Sequence, residues 1–175
     1  MPPTGLPEIA LAGRSNVGKS SLINRLMRNR KLARVSKTPG RTRAVNLFRV
    51  GKAFCLVDLP GYGYAKASHD DRASWKKMVE GYVFDREELG LVIHLVDSRI
   101  EPQPADRMLR DSLGQYDIPM CVVATKIDGV PRAQRARRLA DIRKALELGP
   151  DEPIAVSAET GEGLDKLWDV LEGAG

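Results

Sequence analysis

The sequence has 175 residues, of which 42% are hydrophobic, and a formal net charge of +5. We expect a single domain over residues 1–175, because chains of about 150 residues bury roughly 70% of their unfolded surface around one core, and the apolar content excludes a disordered chain. The sequence has no run of about 18 apolar residues that could span a bilayer, and residues 1–8 lack the apolar region of a signal peptide. We therefore expect a cytoplasmic protein without a membrane partner. We also expect a monomer.

The positive charge is concentrated near the start of the chain. Residues 1–57 hold 12 basic residues and one acidic residue, a balance of +11, whereas residues 58–175 have a balance of −6. Clustered lysine and arginine attract phosphate, either in a nucleotide or along a nucleic acid. Any single charge in this region could be an ordinary solvated one, but we interpret the run from Arg25 to Lys37 as a surface that faces RNA.

Short apolar runs alternate with helical patterns, which predicts an α/β fold with a mostly parallel sheet. The first strand is predicted at residues 9–12 and the first helix at 20–27, followed by a loop over 30–42. Residues 43–50 and 53–59 are typical of an antiparallel hairpin that joins an edge strand to a core strand.

The second half of the chain continues the same alternation. Near-continuous apolar runs at residues 91–96, 120–125 and 154–157 predict parallel strands covered on both faces. A final helix has leucines and Trp168 at helical spacing over residues 164–171, which places the tryptophan in the core. Cys55 and Cys121 lack metal or redox spacing and are interpreted as buried thiols.

Residues 13–20 fit the pattern GxxxxGK[ST] between a predicted strand and a predicted helix, the context of a P-loop. Gly13 and Gly18 permit a turn whose N–H groups point at phosphates, Lys19 reaches the β- and γ-phosphates, and the Ser20 hydroxyl binds Mg²⁺. The predicted phosphate contacts are Gly13, Arg14, Ser15, Asn16, Val17, Gly18, Lys19 and Ser20.

The base pocket must decide between ATP and GTP. The sequence TKID at 125–128 follows a predicted strand, where Asp128 can accept hydrogen bonds from N1–H and the amine of guanine while Lys126 covers the base. TKxD alone could be an ordinary loop, but a second loop at 156–158 offers a backbone N–H to guanine O6. Together they favour GTP and predict contacts from Thr125, Lys126, Ile127, Asp128, Val156, Ser157 and Ala158.

Residues 58–61, DLPG, form a DxxG motif at the end of a predicted strand. Asp58 can hold Mg²⁺ through water and the Gly61 N–H can meet a γ-phosphate oxygen, so this segment responds to that phosphate. Leu59 and Pro60 join the predicted contacts. Tyr62 and Tyr64 are equally compatible with packing and with partner contact. Thr38 and Thr42 both qualify as a further Mg²⁺ ligand from the pattern alone.

These residues resemble the EngB group (also called YsxC or YihA) of bacterial ribosome-assembly GTPases, within the translation-factor-like P-loop GTPases. The resemblance covers essentially the whole chain and rests on GRSNVGKSSLIN (13–24), KTPGRT (37–42), DLPGYGYAK (58–66), TKID and SAETG (157–161), of which PGYGYAK is the most specific. It implies a three-layer, Ras-like fold, GTP and Mg²⁺ binding, and a role in maturing the large ribosomal subunit and in normal cell division and septation.

The resemblance also implies which threonine binds the metal. The threonine of the family follows a PG[KR] triplet, which is Thr42 here and gives Ser20, Thr42 and Asp58 as the metal set. The surrounding segment then contributes nucleotide contacts from Gly40, Arg41, Thr42, Arg43 and Ala44. The chain departs from the group at Ile127 and Ala158, without consequence for a backbone contact to guanine. It also lacks a short segment that usually precedes the first strand, so we expect a trimmed chain or a short member.

Slow hydrolysis is expected because Tyr62 stands where Ras-type enzymes place a water-orienting glutamine. A phenol with a pKa near 10 is a poor substitute at neutral pH, so a partner should raise the rate. Asn16 either holds K⁺ against the phosphates or braces the loop. The groups assigned to catalysis are Asn16, Lys19, Thr42 and Gly61.

Three functions fit this sequence to different degrees. A GTPase that times its release from a pre-ribosomal particle comes first, and a nucleotide-gated RNA- or ribosome-binding module with incidental hydrolysis is the alternative. A small-molecule kinase would leave Asp128 and Tyr62 unexplained. A second basic cluster at residues 132–144 is a solvated helix face or an RNA contact. His69 and His94 are interpreted as structural or exposed.

Overall fold

The computed structural model describes residues 4–29, 32–37, 45–62, 81–83 and 86–175, with the backbone alone for 29 and 32–37. Its strands are β1 (Glu8–Gly13), β2 (Leu32–Lys37), β3 (Asn46–Val50), β4 (Phe54–Asp58), β5 (Leu89–Asp97), β6 (Met120–Thr125) and β7 (Ile154–Ala155). Its helices are α1 (Lys19–Asn29), α2 (Pro104–Gln115), α3 (Arg132–Ala145) and α4 (Leu164–Gly173), with a short 3₁₀ helix at Ile127–Gly129.

The strands form one mostly parallel sheet in the order β2-β3-β4-β1-β5-β6-β7. Strand β1 pairs in parallel with β4 and β5, and the parallel pairing continues through β6 to β7. Strand β3 runs antiparallel to both of its neighbours, β2 and β4. The predicted α/β class with one antiparallel strand is therefore confirmed.

The predicted position of the antiparallel strand at the sheet edge is wrong. The edge is β2, which lies in the segment predicted to be a loop, so β3 is second from the edge. The reason is that an edge strand bonds through its backbone on one side only and tolerates charged side chains. A segment as basic as residues 30–37 can therefore pair without showing an apolar alternation.

Alternate side chains of the central strand build the two apolar layers of the core. Ile9 and Leu11 of β1 pack on the face covered by α1 and α4, where Trp168 is also buried as predicted. Ala10 and Ala12 face the opposite layer, which contains residues of α2. Helix α3 adds Ile142 to a smaller cluster against β5 and β6. Strands β1, β4, β5 and β6 are thus covered on both faces, as parallel sheets require.

The carboxyl ends of the parallel strands gather the predicted motifs at one edge of the sheet. The P-loop follows β1, DxxG follows β4, and TKID follows β6. Strand β7 ends at Ala155, two residues before the predicted end, because Val156 leaves the ladder to connect two loops at this edge. Ligands of open α/β sheets bind at such an edge.

The two cysteines are free and buried, as predicted. Burial raises the pKa of the Cys55 thiol. Burial, together with the nearby Glu152, raises the pKa of Cys121 to about 12. Both therefore remain unreactive thiols at neutral pH, because the thiolate is the nucleophilic form.

Candidate functional site

The predicted P-loop connects β1 to α1 in a compact turn. Gly18 has a φ of +102°, a conformation that favours glycine, and Asn16 has a φ of +65°. The Val17 N–H donates to the Arg14 carbonyl at 3.1 Å, which closes the loop. Ser20 is exposed in the first turn of α1, with its hydroxyl at the helix N-terminus where phosphates and their metal bind.

Lys19 and Asp58 meet at the mouth of the P-loop. Parallel pairing of β1 with β4 sets Leu11 beside Asp58, and the Lys19 ammonium forms an ion pair with the Asp58 carboxylate. The second carboxylate oxygen accepts a hydrogen bond from the Asn46 side chain at 3.3 Å. Both members of the pair keep some exposure, 11% for Lys19 and 15% for Asp58. A phosphate and its metal could therefore reach either group.

The DxxG segment lies directly on the P-loop. The Tyr62 N–H donates to the Gly13 carbonyl at 3.2 Å, and the Tyr62 carbonyl accepts from the Ser15 N–H at 2.8 Å. A β-carbon on Gly61 would lie 3.1 Å from both the Cα and the N of Ser15, closer than most side-chain contacts, so a larger residue would push the two segments apart. The backbone of residues 61–62 therefore reaches the loop that is predicted to hold the phosphates.

The Tyr62 side chain turns into the core instead of towards the P-loop mouth. It is 4% exposed and belongs to the layer beneath α2. Its hydroxyl contacts His94 and Asp106. Of the two interpretations open for Tyr62, packing is the one observed, and His94 is a buried structural histidine. Tyr64 and His69 lie outside the described residues.

Lys126 connects the TKID loop to the P-loop. It has a left-handed backbone with a φ of +60°, and its ammonium donates to the Asn16 carbonyl at 2.5 Å and to the Asp97 carboxylate at 2.9 Å. The neighbouring Thr125 hydroxyl donates to the Val17 carbonyl at 2.6 Å. The alkyl stem of Lys126 reaches Gly18. The base-recognition loop is thus held in place by direct bonds to the phosphate loop.

Asp97, at the end of β5, is a site residue that sequence reasoning missed. Its carboxylate accepts two hydrogen bonds from the Arg99 guanidinium, at 2.9 and 2.8 Å, and one from Lys126. Burial raises the pKa of Asp97, but these bonds outweigh burial and hold that pKa at about 2. The available signal was its position, since Asp97 ends a buried parallel strand at the same edge as the other motifs.

The two predicted guanine loops are bonded to each other. The Ile127 N–H donates to the Val156 carbonyl at 3.2 Å, and the Val156 N–H donates to the Ala124 carbonyl at 2.8 Å. The Ser157 hydroxyl accepts a hydrogen bond from the Thr160 N–H at 3.0 Å, which closes a turn after the second loop. Asp128 is exposed, and Ala158 is half-buried.

A cavity of about 380 Å³ lies between these loops and α1. Asp128, Lys126, Ala158 and Gly18, four residues predicted to contact the nucleotide, line it together. Its opposite wall comes from α1 and combines Leu22 with four polar residues that sequence reasoning missed, Ser21, Asn24, Arg25 and Arg28. Their i, i+3, i+4 and i+7 spacing was the signal, a polar face opposite the apolar face of the same helix.

Two charges that we interpreted as facing RNA therefore border the base cavity. Arg25 lies against Gly161 of the second guanine loop, and Arg28 is exposed at the rim. Both residues therefore lie beside the predicted guanine pocket, and their interpretation as part of an RNA-facing surface stays a prediction. Arg30 and Lys31 lie outside the described residues.

The remaining predicted contacts divide into buried and undescribed residues. The side chains of Val17, Leu59, Pro60, Ile127, Val156 and Ser157 are buried, so any contact with a ligand would involve their backbone. The N–H groups of Val17, Leu59, Ile127, Val156 and Ser157 already donate to carbonyls of the protein. The predicted switch residues Thr38, Gly40, Arg41, Thr42, Arg43 and Ala44 lie outside the described residues.

The residues present fit a magnesium ion that is held mainly by phosphates. Among the described residues, no group of three or more histidine, cysteine or acidic side chains could bind a metal without further ligands. Mg²⁺ usually takes one or two protein oxygens and completes its shell with phosphates and water. Ser20 and Asp58, both beside the P-loop Lys19, can supply those oxygens. Thr42, the third predicted ligand, lies outside the described residues.

No helix within the described ranges has the length and apolar character needed to cross a membrane.

Comparison with known proteins identifies many relatives of this chain. Residues 8–126 match the family described as "50S ribosome-binding GTPase". A "Probable GTP-binding protein EngB" of Syntrophomonas wolfei is 49% identical over 95% of this chain and 86% of the relative. A protein of the same name from Pelotomaculum thermopropionicum is 51% identical over 97% of this chain and 86% of the relative.

Solved structures agree in fold. A crystal structure of "a probable GTP-binding protein engB" has a TM-score of 0.74, covers 95% of this chain and 97% of its own, and is 22% identical. The structure of Era with MgGDPNP and nucleotides 1506–1542 of 16S ribosomal RNA has a TM-score of 0.69 and is 24% identical, covering 97% of this chain and 56% of Era.

Proposed function

The chain belongs to the EngB family of GTP-binding GTPases, and we propose that it acts as a slow nucleotide switch in assembly of the large ribosomal subunit. The observation that carries this proposal is the burial of Tyr62 in the position after the DxxG glycine. A phenol held in the core cannot orient an attacking water at the γ-phosphate. Fast hydrolysis then requires another group, and we propose that a partner supplies it.

Each described group at the P-loop has one task in this proposal. Lys19 would bind the β- and γ-phosphates and stabilise the charge that develops between them, and the Gly61 N–H would contact a γ-phosphate oxygen. Ser20 and Asp58, with Thr42, would hold the metal. When bound, Mg²⁺ neutralises phosphate charge during transfer. The Lys19–Asp58 ion pair keeps both groups at the loop mouth before a nucleotide arrives.

Guanine selectivity would come from the cavity beside α1. Asp128 would accept hydrogen bonds from N1–H and the exocyclic amine, and the Lys126 stem would cover the base. The second loop, residues 156–158, would present a backbone N–H to O6. Lys126 is held by Asn16 and Asp97, so little reorganisation is needed on binding.

A ribosomal partner is supported by the description of the family as ribosome-binding and by the RNA bound to the related fold of Era. Helix α3 offers an exposed surface for such a partner, since Ile142 is its one fully buried residue. Four of its cations make no ion pair with any described carboxylate: Arg132, Arg137, Arg138 and Lys144. Unpaired cations on an exposed helix are suited to phosphate contacts. A cytoplasmic location and a requirement in cell division and septation belong to the same proposal.

The alternative function is a nucleotide-gated, ribosome-binding module in which hydrolysis is incidental. The same buried Tyr62 favours it, because the residue that directly follows the DxxG glycine is then unable to orient an attacking water. The two functions differ in one respect, which is whether the ribosomal particle changes the rate of the chemical step.

A possible role of K⁺ concerns Asn16. Its backbone carbonyl is engaged by Lys126, whereas its exposed side chain makes no hydrogen bond to any described residue. We propose that this side chain is available to hold K⁺ against the phosphates, since the described contacts give it no bracing role.

Single-turnover hydrolysis tests these proposals. GTP-loaded protein is mixed with large-subunit precursor particles, with K⁺ or Na⁺ as the sole monovalent cation, and Asn16→Ala serves as the control variant. We expect particles to raise the rate at least about tenfold, and K⁺ to raise it further in the wild type but not in the variant. Equal rates with and without particles would favour the binding module, and equal rates in the two salts would remove the K⁺ role.

A further inference from the structure

Three buried polar side chains meet beneath the DxxG segment. The Tyr62 hydroxyl lies 2.7 Å from Oδ1 of Asp106 and 2.9 Å from Nε2 of His94. Tyr62 is 4% exposed, Asp106 3% and His94 0%. Buried polar groups persist where they bond to one another, so this set is a defined structural unit, which we call the Tyr62 latch.

The hydrogen-bond directions within the latch follow from its chemistry. The pKa values of Asp106 and Tyr62 are shifted from their ordinary values in opposite directions. Burial raises the pKa of Asp106, but the nearby His94 and hydrogen bonds from Tyr62 and the Gln103 N–H bring it below its usual value. Burial and the charge of Asp106 raise the pKa of Tyr62 well above its usual range, so the phenol keeps its proton. The phenol therefore donates to Asp106 and accepts from His94 Nε2–H, while no described residue forms a hydrogen bond with the buried Nδ1 of His94.

The latch is attached to rigid elements on one side. His94 lies in the middle of β5, where it is paired with Ala12 of β1. Asp106 is in the first turn of α2, where its second oxygen accepts the Gln103 N–H at 2.7 Å and caps the helix. The phenol is thus held by two groups that cannot move independently of the sheet and the helix.

On its other side the latch controls the backbone at the P-loop. Both backbone polar groups of Tyr62 bond to the loop, through the Gly13 carbonyl and the Ser15 N–H, and the Ser15 hydroxyl adds a contact at 3.2 Å. Gly61, the preceding residue, is in close contact with Ser15. The position of the Gly61 N–H is therefore set by a residue whose side chain is fixed in the core.

We propose that Tyr62 is a positioning residue. Its bonds to Asp106 and His94 fix the Gly61 N–H against the P-loop and so set how strongly the protein distinguishes GTP from GDP. The physical reason is that only GTP has the γ-phosphate that this N–H contacts. A displaced Gly61 weakens GTP binding and leaves GDP binding nearly unchanged. The inference rests on the nucleotide site and is independent of the ribosomal role.

The test compares two buried tyrosines by measuring affinities for a non-hydrolysable GTP analogue and for GDP. Tyr62→Phe removes both latch bonds, and we expect the analogue to bind about three- to tenfold more weakly while GDP affinity changes less than about twofold. Tyr82→Phe is the matched control, because its buried hydroxyl bonds to Glu8 at the opposite end of the sheet. It should lower stability and leave the ratio of the two affinities unchanged.

A second pair of variants decides the question if Tyr62→Phe does not fold. His94→Gln retains an N–H donor near the Nε2 position and should keep most of the wild-type ratio, whereas His94→Leu should lose it as Tyr62→Phe does. An unchanged ratio in Tyr62→Phe or His94→Leu, or an equal shift in Tyr82→Phe, would overturn the proposal. Failure of the wild type to bind either nucleotide would instead contradict GTP binding itself.

Discussion

Carboxylates at the two ends of the sheet are neutralised in different ways. At the amino end of β1, Glu8 is fully buried, with hydrogen bonds from the Arg86 guanidinium at 2.9 and 2.6 Å and further bonds from Tyr82 and Thr4. At the opposite end, Asp58 pairs with Lys19 and Asp97 pairs with Lys126. Both lysines are predicted to contact the nucleotide.

The difference between the two ends lies in accessibility. Glu8 is 0% exposed, whereas Asp58 is 15% and Asp97 11% exposed. A fully buried carboxylate cannot change partners without exposing a buried charge, while a partly exposed ion pair can contact a ligand and stay paired. The buried ion pair at the amino end therefore contributes to stability. The ion pairs at the carboxyl end hold their lysines in position and leave these side chains partly mobile.

The largest expected effect is on stability, from Glu8→Gln. Burial raises the pKa of Glu8, but bonds from Arg86, Tyr82 and Thr4 bring it below the usual value, so the group is a carboxylate. Removing its charge leaves Arg86 poorly paired and should lower the free energy of unfolding by about 3 kcal/mol. Urea denaturation at neutral pH measures this.

Glu88→Gln is the matched control for that substitution, since Glu88 also pairs with Arg86 but is 22% exposed. Its loss should be at most about 1 kcal/mol. In both variants GDP affinity should equal that of the wild type. A nucleotide defect in Glu8→Gln, with the protein still folded, would remove the distinction between the two ends.

A smaller effect, on binding as well as stability, is expected from Asp97→Asn. Lys126 loses its charged partner, so GTP and GDP affinities should fall together by about tenfold, which titration calorimetry would measure. An exposed carboxylate, Asp151→Asn, should change neither affinity. Weakened GTP binding with normal GDP binding would contradict a role in base recognition.

The same variant should also change the acid stability of the protein. The folded pKa of Asp97 is about 2, below its ordinary value of 3.8. Its stabilisation is therefore complete above about pH 4 and is lost as the pH falls through 2. We expect Asp97→Asn to be less stable than the wild type by about 1–2 kcal/mol at pH 7, with the difference fading towards pH 2. A constant difference over this range would show that the Asp97 charge is not its source.

Much of the fold could be predicted from local patterns. The P-loop glycines, the apolar runs and the last helix each specify an element through periodicity or turn geometry, and the structure places them accordingly. Strand β2 could not be predicted, because an edge strand is selected by its backbone pairing with β3 and its basic sequence has no apolar period.

The positions of site residues could be predicted where a motif requires one residue type for one chemical task. Lys19, Asp58 and Lys126 lie at the predicted edge for that reason. The groups that fix the site from behind were not predictable, because their contacts join residues far apart in sequence. Asp97 holds Lys126 across 29 residues, and His94 and Asp106 hold Tyr62 across 32 and 44 residues. The place of Arg25 beside the predicted guanine pocket could not be predicted, because charge counting does not indicate which face of a helix a residue occupies.

The proposed switch on the large ribosomal subunit is tested most directly by co-sedimentation with large-subunit precursor particles. Protein loaded with a non-hydrolysable GTP analogue is compared with protein loaded with GDP, at two salt concentrations. We expect the analogue-loaded form to sediment with the particles and the GDP-loaded form to remain in the supernatant, with binding that weakens as salt rises. Equal sedimentation of the two forms, or none with either nucleotide, would contradict the account.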